Sequence, residues 1–154
     1  MIKVLFVCLG NICRSPMAEF VFKDMLERKG LSDRFLVASA ATSSEEVGNG
    51  VHRGTRNKLN EVGIDTSQKR AVQLKKEDYN RYDYILGMEQ RNITSMERIF
   101  GGDKEKKVMR LLKLSDKPRD IADPWYTGDF EKTYKDVYEG CELLLAYLCK
   151  ENKI

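Results

Sequence analysis

Ile2-Lys3-Val4-Leu5-Phe6-Val7-Cys8-Leu9-Gly10-Asn11-Ile12-Cys13-Arg14-Ser15-Pro16 decides the fold. Residues 2–7 are apolar and β-rich, as a strand buried on both faces must be. Ser15 and Pro16 predict a helix start, with serine as cap and proline at the first helical position. Met17, Phe20, Val21, Met25 and Leu26 then recur at helical spacing, and Gly30 supplies the stop. A buried strand running through a polar loop into a helix is the opening unit of an α/β sheet.

The rest of the chain repeats that alternation. Strands are expected at 35–38, 82–86 and 108–114, and helices at 53–61, 89–100 and 130–150. Residues 42–50 read as a polar surface loop and 117–128 as a loop holding two of the three prolines. Gly63 ends the helix before it. Leu143, Leu144, Ala146, Tyr147 and Leu148 are assigned to the core. The expected architecture is one domain over 1–154: a parallel sheet with helices on both faces.

Length and composition fit that reading. A chain of 154 residues, 42% hydrophobic and 33% charged, is the size of one globular domain. Such a domain buries roughly two thirds of its unfolded surface, which excludes a disordered chain. No apolar run reaches the ~20 residues of a membrane span. The net charge of +3, from 27 basic and 24 acidic residues, is too small to announce nucleic acid. Residues 1–9 resemble a signal peptide only superficially, because no small-residue cleavage site follows. Four cysteines (Cys8, Cys13, Cys141, Cys149) are too few for a disulfide scaffold. Free thiols and a cytoplasmic location are expected. Lone His52 reads as a surface-loop residue, since no second ligand pair accompanies it, and no metal is expected.

The strand–loop–helix junction predicts a site. Ligands of open α/β sheets bind at the carboxyl ends of strands. Backbone N–H groups of a tight loop at a helix N-terminus converge into an anion cradle. Leu9, Gly10, Asn11, Ile12, Cys13 and Ser15 form that loop, with Gly10 and Asn11 able to take left-handed backbone angles. Arg14 can hold two phosphate oxygens with its planar fork. Cys8 lies beneath. A cysteine at a helix N-terminus beside a cation has its pKa lowered from ~8.5 to ~3.5–7.5, so the donors that bind phosphate also activate a nucleophile. An aryl phosphate then needs a proton donor for its leaving group, whose pKa is ~10. Asp123, in Asp123-Pro124-Trp125-Tyr126, is the candidate: Pro124 holds it extended, and Trp125 and Tyr126 can frame an aromatic ring.

Together these residues resemble the low-molecular-weight protein tyrosine phosphatases. Residues 7–19, VCLGNICRSPMAE, are similar to the family's signature. Ser39-Ala40-Ala41-Thr42, residues 82–88 and Asp123-Pro124-Trp125-Tyr126 resemble its second-strand, third-strand and acid-loop segments. The resemblance implies a four-stranded parallel sheet with helices on both sides and no cofactor. It implies that Cys8 forms a phosphocysteine, Arg14 clamps the phosphoryl group, and Asp123 is general acid and then base. Asn11 and Ser15 would support the loop, and Cys13 would form a reversible disulfide with Cys8 under oxidant. Substrates would be tyrosine-phosphorylated proteins. A monomer with weak self-association through Trp125 and Tyr126 is the expected state.

The sequence departs from the family pattern at three places. Glu45, or its neighbour Glu46, falls where many members wall the pocket with an aromatic residue. Lys69 falls where some carry a histidine that steadies the loop, and Trp125 where tyrosine is frequent. Alternatives are an arsenate reductase or protein arginine phosphatase of the same fold, or an inactive phosphopeptide-binding module. Cys141 and Cys149, placed in the last helix, argue against the first. Ile12, where the arginine phosphatases have threonine, argues against the second. The presence of Cys8, Arg14 and Asp123 together argues against the third.

Overall fold

The computed structural model describes Met1–Ile154. Its strands are β1 (Ile2–Cys8), β2 (Phe35–Ala41), β3 (Tyr84–Gly87) and β4 (Val108–Arg110). Its helices are α1 (Arg14–Arg28), α2 (Arg53–Glu61), α3 (Asp78–Arg81), α4 (Gln90–Phe100), α5 (Pro124–Thr127) and α6 (Phe130–Asn152). The sheet order is β2-β1-β3-β4 and every pairing is parallel.

Alternation along β1 explains why this strand is central. Val4, Phe6 and Cys8 point into a core shared with α1 and α6, where Met17, Val21, Phe22, Val137, Cys141, Leu144 and Leu148 pack. Leu5 and Val7 point to the opposite face, against Ile85, Met96 and Phe100. The period-2 pattern is apolar on both sides, which only a strand covered by two helical layers can accept. Phe22 sits edge-on between Phe6 and Phe35, with ring centroids 5.7 and 5.9 Å away. Each such pair contributes about 0.5–1.5 kcal/mol beyond its burial.

The order of strands places the site. From β1 the chain moves outward to β2, then returns past β1 to β3. The loops leaving β1 and β3 therefore diverge at a switch point, and a crevice opens between them. Residues 9–13 follow β1 into that crevice, and Met88–Glu89 follows β3.

Several sequence expectations need correction. The first helix begins at Arg14 with Cys13 at its cap position, and no side chain caps it. Ser15 therefore lies inside the first turn, because its hydroxyl is engaged with Cys8 instead. β2 extends three residues beyond the expected 35–38, since Ser39, Ala40 and Ala41 keep register with β1. Tyr82 closes the one-turn helix α3, and β3 begins only at Tyr84. The fourth strand stops at Arg110, where residues Leu111–Leu114 wind into a 3-10 turn that buries Leu111 and Leu112 under α6. The expected loop at 117–128 contains α5, capped by Asp123 with Pro124 at its start. In α6, Ala146 faces solvent and Leu145 is the buried residue. No helix is long and apolar enough to cross a membrane.

Candidate active site

The loop between β1 and α1 curls around the Cys8 sulfur. Asn11 N–H donates to Sγ at 3.3 Å and Ser15 N–H at 3.4 Å. The Ser15 hydroxyl is 3.0 Å from Sγ. It accepts from Asn11 Nδ2 at 2.7 Å, which leaves its proton for the sulfur. Donors converging on sulfur stabilise negative charge there. Asn11 makes the turn with φ of 58°. Gly10, also expected to be left-handed, is not. A Cβ there would meet Glu46 Cγ at 3.4 Å, an ordinary contact, so the 42–50 loop packs directly against this turn.

Asn11 is also the hub of a buried polar column. Its second amide hydrogen goes to Ser39 Oγ at 2.9 Å, and its Oδ1 accepts from Val72 N at 3.1 Å. Ser39 Oγ donates to Glu19 Oε1 at 2.6 Å. Lys69 donates to the Ser39 carbonyl at 3.0 Å and lies 3.6 Å from Glu19, which Lys23 also meets at 2.6 Å. Burial lowers the Lys69 pKa, opposed by the Glu19 charge. Each buried polar group here has its partner, the condition under which such a network rigidifies a site.

Arg14 is 1% exposed. Its NH1 donates to Glu89 Oε2 at 2.5 Å and to the Ile121 carbonyl at 2.9 Å. Its NH2 reaches Asp123 Oδ2 at 3.3 Å. Glu89 is itself placed, as the residue before α4, by its backbone N–H, which donates to Asn92 Oδ1 at 3.0 Å. Asp123 Oδ1 accepts from Trp125 N–H at 3.0 Å, so the cap of α5 also aims the carboxylate.

These side chains line one cleft of about 600 Å³, counting its open mouth. Cys8, Leu9, Gly10, Ile12, Cys13 and Arg14 line it from the β1–α1 junction, Ser43, Glu45 and Glu46 from the 42–50 loop, and Asp123, Trp125 and Tyr126 from the segment around α5. Trp125 is 57% exposed and Tyr126 79%, so both flank the mouth and neither packs in the core. Burial pushes the Cys13 thiol up to about 12, and the neighbouring Cys8 charge adds to the effect. No trio of His, Cys, Asp or Glu has metal-ligating geometry.

Every residue singled out from the sequence for this site therefore lies in or directly beneath one cleft. The sequence reading missed Glu89, Glu19 and Ser39. Glu89 could have been found, since it follows the carboxyl end of β3, where ligand-facing residues cluster. Glu19 carries no such signal, since a glutamate in a first helix reads as solvated surface. His52 is not a plain surface residue: it caps α2, its Nδ1 accepting from Gly54 N–H at 3.0 Å.

The comparisons with known proteins agree with this geometry. The low-molecular-weight protein-tyrosine-phosphatase YfkJ of Bacillus subtilis is 40% identical over 156 residues, covering 100% of both chains. Its crystal structure superposes with a TM-score of 0.93, at 42% identity over 98% of this chain and 96% of that one. A low molecular weight protein tyrosine phosphatase from Streptococcus pyogenes gives 0.87, at 40% identity, over 96% and 93% of the two chains. An arginine phosphatase from Drosophila shares the fold, with a TM-score of 0.86 at 28% identity over 96% and 98%. The family model for low molecular weight phosphotyrosine protein phosphatase matches residues 3–154. A loop whose N–H groups converge on the Cys8 sulfur, a cleft built around that residue and a match along nearly its whole length lead to one conclusion: the chain belongs to the low molecular weight phosphotyrosine protein phosphatase family.

Proposed function

We propose that this protein hydrolyses phosphotyrosine in proteins through a phosphocysteine. The observation that carries this reading is the convergence of Cys8, Arg14 and Asp123 on one cleft flanked by Trp125 and Tyr126. Cys8 Sγ, as thiolate, attacks phosphorus in line. The S–P bond forms as the P–O bond to the aryl group breaks, and Asp123 gives its proton to the departing phenolate. Loop N–H groups and Arg14 hold the equatorial oxygens, where charge is concentrated. In the second step Asp123 takes a proton from water, whose oxygen attacks phosphorus. The S–P bond breaks, inorganic phosphate leaves and the thiolate returns.

Ile12 presents an apolar wall to the cleft, which suits an aryl ring better than a guanidinium needing hydrogen-bond partners. Cys13 stands next to the nucleophile as a free thiol. A disulfide between Cys8 and Cys13 would keep the nucleophile from over-oxidation. Four free cysteines suit a reducing cytoplasm.

The test is steady-state hydrolysis of phosphotyrosine, phosphoserine and phosphoarginine, without added metal, by wild type and Cys8→Ser. Turnover of phosphotyrosine alone, lost in Cys8→Ser with phosphate binding retained, is the expected result. Preference for phosphoarginine would replace the substrate assignment. Phosphate binding without any turnover would replace catalysis with recognition.

A further inference from the structure

We infer that His52 is a positioning residue for the general acid, its ring holding the acid loop at a fixed place over the phosphate loop. This rests on the phosphatase reading above.

The first turn of α2 is fastened to the phosphate loop at two consecutive carbonyls. His52 N–H donates to Ile12 O at 2.8 Å, and the buried Thr55 hydroxyl donates to Cys13 O at 3.1 Å. The His52 side chain faces the other way, toward the acid loop. Its ring stacks on Phe130, with centroids 5.2 Å apart and planes 14° from parallel. It meets Trp125 edge-on at 5.5 Å and 73°. The backbone N–H of Trp125 in turn holds Asp123 Oδ1. A continuous chain of contacts therefore runs Ile12, His52, Trp125, Asp123, and Phe130 pins the middle of it to the start of α6. Gly54 shows how tight the packing is: a Cβ there would lie 2.3 Å from the Phe130 ring.

The consequence is geometric. Asp123 must deliver its proton to an oxygen whose place is set by the phosphate loop, yet it sits more than a hundred residues away in sequence. A displacement of ~1 Å in such a group can cost ~100-fold. His52 is where the two loops are referenced to each other. A helix cap alone would not require an aromatic ring at this position, since asparagine caps as well.

The experiment separates ring from cap. His52→Asn keeps the cap acceptor and removes the ring; His52→Phe keeps a ring and removes the acceptor. For each, kcat/KM, which reports phosphocysteine formation, is measured with phenyl phosphate and 4-nitrophenyl phosphate. The first leaving group needs the acid and the second needs it far less. His52→Asn is expected to lose about 10- to 100-fold on phenyl phosphate and about twofold or less on 4-nitrophenyl phosphate. His52→Phe keeps the wild-type ratio between the two esters. The sole tryptophan, Trp125, gives a readout independent of activity. Its fluorescence anisotropy should gain a fast component in His52→Asn and not in His52→Phe. Equal losses on both esters, or unchanged Trp125 motion in His52→Asn, would overturn the inference. Should His52→Asn fail to fold, Gly54→Ala, which pushes Phe130 out of the stack, carries the same expectation. If wild type hydrolyses neither ester, the phosphatase reading fails, and the Trp125 anisotropy still decides the contact.

Discussion

Replacing Glu89 by glutamine should destabilise the free protein and make its stability unusually responsive to phosphate. Arg14 is a guanidinium at 1% exposure with three acceptors, and Glu89, at 2.5 Å, is the closest of them. A hydrogen bond to a charged group contributes about 1.5–3 kcal/mol. The loss should stay below the ~3–5 kcal/mol of a buried charge left without any counter-ion, because Asp123 remains 3.3 Å away. For a chain of this size the loss lowers Tm by roughly 3–12 °C. A bound phosphate dianion supplies the missing negative charge, so saturating phosphate should close at least half of the gap to wild type. By linkage, phosphate then binds the variant more tightly, about tenfold for each 1.4 kcal/mol of closure. Urea unfolding of both proteins, with and without phosphate, measures every side of this cycle. A gap that is the same with and without phosphate would refute the idea that Glu89 and the substrate compensate the same buried charge.

Other outcomes follow from the same geometry. Asp123→Ala should lower kcat/KM about 10²- to 10⁴-fold for esters with poor leaving groups and far less for activated ones; a uniform loss would remove Asp123 from the acid role. Iodoacetamide at neutral pH should label Cys8 ahead of Cys13, whose thiol is held protonated by burial, as read by peptide mass spectrometry. Under peroxide the two thiols should disappear together, and a Cys13 left free would defeat the disulfide. Gly140→Ala should destabilise, because the new Cβ would lie 2.5 Å from Leu111 Cγ in the core. Overpacking of about 1–3 kcal/mol, less the ~1 kcal/mol gain in helix propensity, leaves a net cost of up to ~2 kcal/mol, for a Tm lowered by up to roughly 8 °C.

What could be read from the chain is what is local along it. The strand, loop and helix of residues 2–28 announce themselves by period and by residue type, and Cys8, its loop and Arg14 lie inside one short segment. Asp123 was legible because proline and two aromatics mark its loop. The pairing of Glu19 with Lys69 was not legible. That pairing exists only after the 62–74 segment is laid beside the end of β2, and an isolated glutamate or lysine carries no trace of it. The end of β2 was misplaced for a related reason. Ser39 is polar and breaks the apolar run, yet it stays in the sheet because Asn11 and Glu19 satisfy its hydroxyl. Ser15 shows the reverse error, where a good capping residue is recruited by the sulfur instead.

The central position of β1 bears on how the protein is made. The innermost strand leaves the ribosome first, and none of its covering layers exists at that moment. β2 follows within about forty residues, but β3 comes after residue 83 and the helix that seals α1 only after residue 129. Arg14 waits equally long for Ile121 and Asp123. The nascent chain therefore carries an uncovered apolar strand and an unpartnered arginine through most of its synthesis. Assembly must be largely post-synthetic, and chains arrested before α6 emerges are expected to be clients of chaperones that recognise exposed hydrophobic strands.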